Sequence, residues 1–190
     1  MLEAAPLSRD FFDRPVLEVA RALIGTVLLV DGVGGTLVEV EAYDQSDPAS
    51  HTFNGPTPRK AAMFGPPGHA YVYKIYGMHW CLNFVCQPGS AVLIRALVPE
   101  FGLPQMTERR GGLGERQLCS GPGKLCQALG VTNQHNGAAL DALPFELFAG
   151  APEDSHAGPR IGLTKGVATP WRFLRNGSRF LSKPPLAPIT

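Results

Sequence analysis

The sequence predicts an α+β fold whose strands come from neighbouring hairpins rather than from alternating βαβ units. Three observations carry that expectation. Apolar runs of strand length occur in pairs joined by turn residues, as in "TVLLV", "DGVGG", "TLVEVEAY" and again across Ala70 to Asn83, "AYVYKIYGMHWCLN". Helical periodicity is confined to short segments with their own start and stop residues. Finally, 22 Gly and 18 Pro among 190 residues, with 44% hydrophobic residues, describe a chain with many turns and a sizeable core rather than a helical bundle. That length fits one domain over residues 1–190.

Taken in order, Asp13 ahead of "RPVLEVARALIG" offers an N-cap and an early proline. Val16, Val19, Ala20 and Leu23 then form one apolar stripe, and Gly25 stops the helix. "TVLLV" and "TLVEVEAY" form a hairpin around the glycine-rich turn. Thr57-Pro58 starts a short helix to Phe64, and "GPPG" breaks the chain before the aromatic stretch. There, period 2 puts Tyr71, Tyr73 and Ile75 on one face and Val72 and Lys74 on the other. Met78 to Val85 reads as the return strand, leaving Tyr76-Gly77 as a two-residue turn because glycine accepts positive φ at no steric cost. A large ring on such a tip either packs on a neighbouring loop or waits for a partner. "AVLIRALVP" is a further strand, and Ser120-Gly121-Pro122 opens a helix ending near Gly130. Residues 131–158 are loop-rich around one apolar stretch, Pro144 to Phe148, and the last strands are expected near "PRIGL" and "WRFLRN".

No apolar run approaches the roughly 20 residues of a membrane span, and "MLEAAPLSRD" lacks both the basic start and the apolar core of a secretory signal. An intracellular protein with no membrane partner is expected. Cys81, Cys86, Cys119 and Cys126 lack the close-paired spacing of zinc ligands and read as buried thiols rather than as a metal site. The net charge of +1 hides an uneven distribution. Residues 1–60 carry nine Asp and Glu against five Lys and Arg, whereas residues 159–190 carry Arg160, Lys165, Arg172, Arg175, Arg179 and Lys183 with no acid. Such a segment is either a solvated face or a footprint for phosphates.

In "TLVEVEAY", alternation puts Leu37, Glu39, Glu41 and Tyr43 on one face and Val38, Val40 and Ala42 on the other. Either that acidic face meets water, as polar-out strands do, or one glutamate lies in a cleft as general base beside aromatic walls. Arg95, inside an otherwise apolar strand, needs a carboxylate, phosphate or water for its five donors, and Glu41 or Glu39 is the candidate partner. His51 by itself is an ordinary loop histidine. The chain has no Gly-rich phosphate loop, no HExxH, no G-x-S-x-G and no coherent Ser/His/Asp order. Rings, carboxylate, arginine and tip aromatic together fit a site that handles a nucleobase.

The blocks "VEVEAY", "DPASH", "TPR", "YVYKIYGMHWCLN", "AVLIRALVP", "LCSGPGKLCQALGV", "PRIGL" and "PWRF" occur in the order seen in the alkyladenine (3-methylpurine) DNA glycosylase family, which the chain resembles from about Phe11 to Lys183. The resemblance implies a single compact α+β domain with a curved antiparallel sheet, a projecting hairpin and surrounding helices. It implies a monofunctional DNA glycosylase that flips damaged purines, alkylated bases or hypoxanthine, out of double-stranded DNA. A Glu-activated water would hydrolyse the N-glycosidic bond and so initiate base excision repair, with no lyase activity. By matching position, Glu41 is the general base and Arg95 its partner in holding the water, with the backbone carbonyl of Ile161 as a third contact. Tyr43, His51 and Tyr73 match the walls around the extruded base. Asn83 matches a residue that crowds guanine's exocyclic amine, and Tyr76 matches the residue that fills the vacated stack.

The basic segment then becomes the expected DNA-backbone contact through Arg160, Lys165, Arg172 and Arg175, and a DNA-associated monomer without cofactor is expected. His79 departs from the family pattern, where a tyrosine commonly follows "YGM", "HTFNG" replaces a more basic stretch, and Val98 stands where an acid is usual. The first two bear on lesion preference and DNA affinity. Two other readings compete. A domain that binds nucleic acid without catalysis gains little from Glu41 and Arg95, and a nucleoside hydrolase has no use for Tyr76 or the basic segment.

Overall fold

The computed structural model of the protein describes residues 4–151 and 153–185. Helix α1 (Val16–Leu23) buries Val16, Val19, Ala20 and Leu23, the stripe its 3.6 periodicity sets. Asp13 does not cap it. The N-cap is Pro15, without a side-chain cap, so proline's restricted φ rather than a carboxylate acceptor begins the helix.

Strands β1 (Val27–Val30) and β2 (Val33–Tyr43) pair from Val30↔Val33 to Val27↔Thr36. The turn between them is only Asp31-Gly32, with φ of 50° and 75°, as a two-residue mirror-image turn requires. The later glycines of "DGVGG" lie inside β2 and answer a different need: a Cβ on Gly34 would fall 1.8 Å from the Leu28 carbonyl oxygen, and one on Gly35 1.9 Å from that of Val98.

Strands β3 (Ala70–Ile75), β4 (His79–Val85), β5 (Ala91–Phe101), β6 (Phe145–Phe148), β7 (Ser155–Gly158) and β8 (Arg172–Arg175) complete one antiparallel sheet. Its order is β3-β4-β5-β2-β1-β6, with β8 pairing both β2 and β7. The sheet curves into a half-barrel. Long β2 runs through its middle, with β5 along one side and β1 and β8 in succession along the other. Register shifts at Gly34/Gly35 and on both sides of Glu39 mark bulges, which bend strands and raise their twist.

Two expected boundaries shift. β3 and β4 pair out to Ile75↔His79, so their turn holds Tyr76, Gly77 and Met78, one residue more than expected. "PRIGL" is not a strand: β7 ends at Gly158, because Pro159 has no amide to donate to a ladder and Gly162 sits at φ 75°. Pro58–Phe64 is a 3-10 helix. Helix α2 (Leu103–Arg109) follows Gly102, and α3 (Pro122–Leu129) ends at Gly130 in the left-handed region.

Alternation divides β2 to β5 into two faces. Val40, Ala42, Ala70, Val72, Leu82, Phe84, Val92 and Ile94 enter the main core together with α1 and α3. Glu41, Tyr43, Tyr71, Tyr73, Cys81, Asn83, Leu93 and Arg95 turn the other way and line a cavity. The pairs Tyr71↔Asn83, Tyr73↔Cys81, Asn83↔Leu93 and Glu41↔Leu93 keep these residues in register across four strands. Leu37 breaks the expected alternation. The pairs Leu37↔Leu97 and Val40↔Ile94 lie three residues apart on both strands, so Leu37 rejoins the main core while Val38 packs with Ala96 and Phe180. All four cysteines are free and buried, and burial pushes the Cys86 and Cys119 thiols up to about 12.

Candidate active site

The cavity behind the sheet measures about 330 Å³, within the range of small-molecule pockets. Its lining includes Glu41, Tyr43, His51, Tyr73, Tyr76, Asn83, Arg95 and Ile161, so residues spread over 120 positions of sequence meet at one place.

Glu41 is fully buried, and a buried carboxylate is costly unless donors face it. Three do. The Ile161 amide donates to Oε1 at 2.8 Å, while the Tyr43 hydroxyl at 2.8 Å and Arg95 Nη1 at 3.4 Å address Oε2. The "PRIGL" loop therefore reaches Glu41 through the Ile161 amide. Glu39 is equally buried, so the acidic strand face does not meet water. Both glutamates partner Arg95, whose Nε donates to Glu39 at 3.0 Å. Burial opposes the Arg95 charge, but Glu41 and Glu39 together raise its pKa above the ordinary arginine value.

Tyr71 and Tyr73 stack with centroids 5.4 Å apart at 29°, and the His51 ring meets Tyr73 edge-on at 4.5 Å. His51 Nδ1 lies 3.3 Å from the Tyr71 hydroxyl. Burial lowers the His51 pKa, with Arg59 and Lys60 acting in the same direction. The same cause acts in the opposite direction at the tyrosines, whose charged form is the anion: burial raises Tyr43, assisted by the Glu41 charge, and raises Tyr73, assisted by Cys81. All three rings are thus held neutral at physiological pH. Asn83 is fixed by a 3.1 Å bond from Nδ2 to the Tyr71 carbonyl, and Tyr76 is 81% exposed at the hairpin tip.

Two residues expected on a phosphate-contacting face lie elsewhere. Arg160 is buried, with Nη1 donating to the Ala42 carbonyl at 2.9 Å and paired with Asp47, and its guanidinium sits 4.7 Å from the Tyr43 ring and 5.3 Å from Trp171. Arg172 is buried against Glu39 at 2.9 Å. Formal charge along a sequence carries no information on burial, and these two arginines balance buried carboxylates instead of facing solvent. Lys165 is exposed, and Arg175 is partly exposed in a 3.0 Å pair with Glu153. Sequence reasoning left Tyr71, Met63 and Cys81 out of the pocket, although Tyr71 follows from the period-2 stripe that marks Tyr73. Ser182 and Asp47 carried no signal of their own.

Among the described residues no group of three or more His, Cys, Asp or Glu is arranged to hold a metal, and no helix is long and apolar enough to cross a membrane.

The antiparallel half-barrel thus sets a carboxylate and an arginine among stacked rings at the wall of one cavity. The family described as Methylpurine-DNA glycosylase (MPG) matches residues 10–179, and the chain belongs to that family of DNA glycosylases. A Rhodopseudomonas palustris (strain BisB18) protein named "Putative 3-methyladenine DNA glycosylase" is 62% identical over 183 residues, covering 94% of this chain and 91% of its own. Proteins of the same name from Nitrobacter winogradskyi and Nitrosospira multiformis are 58% and 55% identical, covering 94% and 91% of this chain and 88% and 92% of their own.

Proposed function

We propose that the protein is a monofunctional glycosylase that flips a damaged purine from duplex DNA into the aromatic pocket and hydrolyses its N-glycosidic bond with a water activated by Glu41. The observation that carries this reading is the fully buried Glu41 carboxylate lining a ring-walled cavity beside Arg95. Glycosidic cleavage passes through an oxocarbenium-like state, so one carboxylate both activates water and stabilises the developing positive charge. Arg95 orients the attacking water.

Alkylation at N3 or N7 leaves the base cationic and already a good leaving group, and the faces of Tyr43 and Tyr73 favour a cation between them. Hypoxanthine, being neutral, must gain a proton as it leaves. Flipping costs a few kcal/mol, less where the lesion weakens pairing, and Tyr76 offsets part of that cost by filling the vacated stack. The exposed tip of the β3–β4 hairpin supports this role. Lys74 is on the face opposite Tyr73, with its Nζ 5.3 Å from the Trp80 ring, which supports a reaction without lysine-dependent strand cleavage. The protein acts as a monomer on double-stranded DNA.

The test is Glu41→Gln, which keeps size and loses the base. Single-turnover release of methylated purines or hypoxanthine from labelled duplex, read by alkaline cleavage of abasic sites, should fall by at least about 10²- to 10⁴-fold. Lesion binding should persist. Near-parental excision by the folded variant would remove Glu41 from the role of base.

A further inference from the structure

Glu39 is fully buried beside Glu41 yet does not line the cavity, and its oxygens are already engaged. Oε1 accepts from Arg95 Nε at 3.0 Å, Arg172 Nε at 2.9 Å and Ser182 Oγ at 2.7 Å, while Oε2 accepts the Ser182 amide at 2.5 Å. A carboxylate so occupied and so placed cannot touch a base or its water. Resting on the reading of Glu41 as the base, we propose that Glu39 is a positioning residue, which with Ser182 clamps Arg95 so that a single guanidinium nitrogen is presented to Glu41.

The geometry of the clamp follows from the planarity of guanidinium. Arg95 Nε is fixed by Glu39 and Nη2 by Ser182 Oγ at 3.2 Å, and that same hydroxyl donates to Glu39. With two of the three nitrogens held, the direction of Nη1 is determined, and it points to Glu41 Oε2 at 3.4 Å. The irregular register supports the arrangement: Val38 and Glu39 on β2 lie opposite Arg95 and Ala96 on β5 in the stretch where alternation fails on both strands, so Glu39 and Arg95 both leave the main core. Bulges re-aim side chains beside active sites in this way.

Charge completes the argument. Glu39 and Glu41 carry two buried negative charges, and Arg95 and Arg172 two positive ones, so no buried charge is left in excess. Arg172 reaches the carbonyl of Lys183 at 2.6 Å through Nη2, which ties the segment after β8 into the same cluster. That segment therefore forms part of the support beneath the catalytic pair, a role for which its sequence gives no indication.

The experiment uses the full chain and duplex DNA methylated with dimethyl sulfate, with single-turnover release of methylated purines and DNA affinity measured separately. Glu39→Gln should lower the excision rate about 10²-fold, the scale of a small misplacement of a catalytic group, while DNA affinity stays within about twofold. A merely structural role would show equal losses in any background. If Glu39 acts through Arg95, adding Glu39→Gln to Arg95→Ala should change the rate by less than about threefold, a departure from additivity that a double-mutant cycle reads directly. A parental rate in Glu39→Gln, or its full loss persisting in the Arg95→Ala background, overturns the proposal. Should Glu39→Gln fail to fold, Ser182→Ala carries the same test, because it removes one hydroxyl and no charge: a several-fold loss in the parent should vanish in the Arg95→Ala background, and no loss, or an undiminished one, overturns the clamp. Glu41→Gln run in parallel separates the failures, since an active Glu41→Gln refutes the general base and an active Glu39→Gln beside an inactive Glu41→Gln refutes only the clamp.

Discussion

Arg172→Ala should unfold the protein more readily without altering how it senses salt on DNA. The side chain is fully buried, and its truncation removes two bonds, to Glu39 at 2.9 Å and to the Lys183 carbonyl at 2.6 Å. Glu39 would keep Arg95 but lose the charge balance of the cluster, and the volume of the guanidinium would be left empty. Breaking a buried pair by removing one partner costs about 3–5 kcal/mol. At roughly 2–4 °C per kcal/mol for a chain of this size, the melting temperature should drop by roughly 10 °C. Arg175, three residues along the same short strand, is the control: its pair with Glu153 is partly exposed, so Arg175→Ala should cost at most about 1 kcal/mol. Thermal unfolding followed by circular dichroism, with urea titration as a second measure, gives both numbers. The salt dependence of binding to undamaged duplex gives the other half, because each phosphate contact contributes about 0.9 to the logarithmic slope and a buried arginine contributes none. An Arg172→Ala protein within about 1 kcal/mol of the parent, or one with a flattened salt slope, would refute the reasoning and return Arg172 to the DNA-facing surface.

Three further outcomes are expected. Tyr76→Ala should weaken binding to lesion-containing duplex by about 1–3 kcal/mol and leave the unfolding curve unchanged, since an 81% exposed ring contributes to stacking with bases and little to folding; unaltered lesion affinity would remove it from the DNA. Asn83→Ser should raise release of guanine lesions relative to hypoxanthine, because the amide that its bond to Tyr71 fixes in the pocket would be gone; an unchanged ratio of the two products would assign the selection to another residue. The lowered His51 pKa means that the folded protein binds this proton less readily than the unfolded chain, so its contribution to stability is present above the ordinary histidine value of 6.5 and is lost as pH falls below it. The urea midpoint should therefore decline on acidification below about pH 6.5 more steeply in the parent than in His51→Phe, and parallel curves would contradict the assignment.

The sequence by itself determined most of the elements and the candidate residues, because both are written in local patterns, while the expected strand at "PRIGL" gave way to a loop. Helix α1 followed from an apolar stripe, the two hairpins from paired strand-length runs, and Tyr71 and Tyr73 from period 2. Arg95 stood out because charge inside an apolar strand demands a partner, and Glu39 and Glu41, the two candidates its sequence offered, both pair with it. What the sequence could not determine was which positive charges remain in water. Arg160 and Arg172 read as part of one basic segment with Lys165 and Arg175, yet tertiary structure buries the first pair against Asp47 and Glu39, residues 113 and 133 positions away. The same holds for the bulged stretch in which Glu39 and Arg95 turn from the main core, where strict alternation mispredicts Leu37. Alternation and capping depend on neighbours within a few residues, whereas ion pairing and bulge register depend on which distant strands meet. The Ser182–Glu39–Arg95 contacts therefore exist only once β2, β5 and β8 are laid side by side.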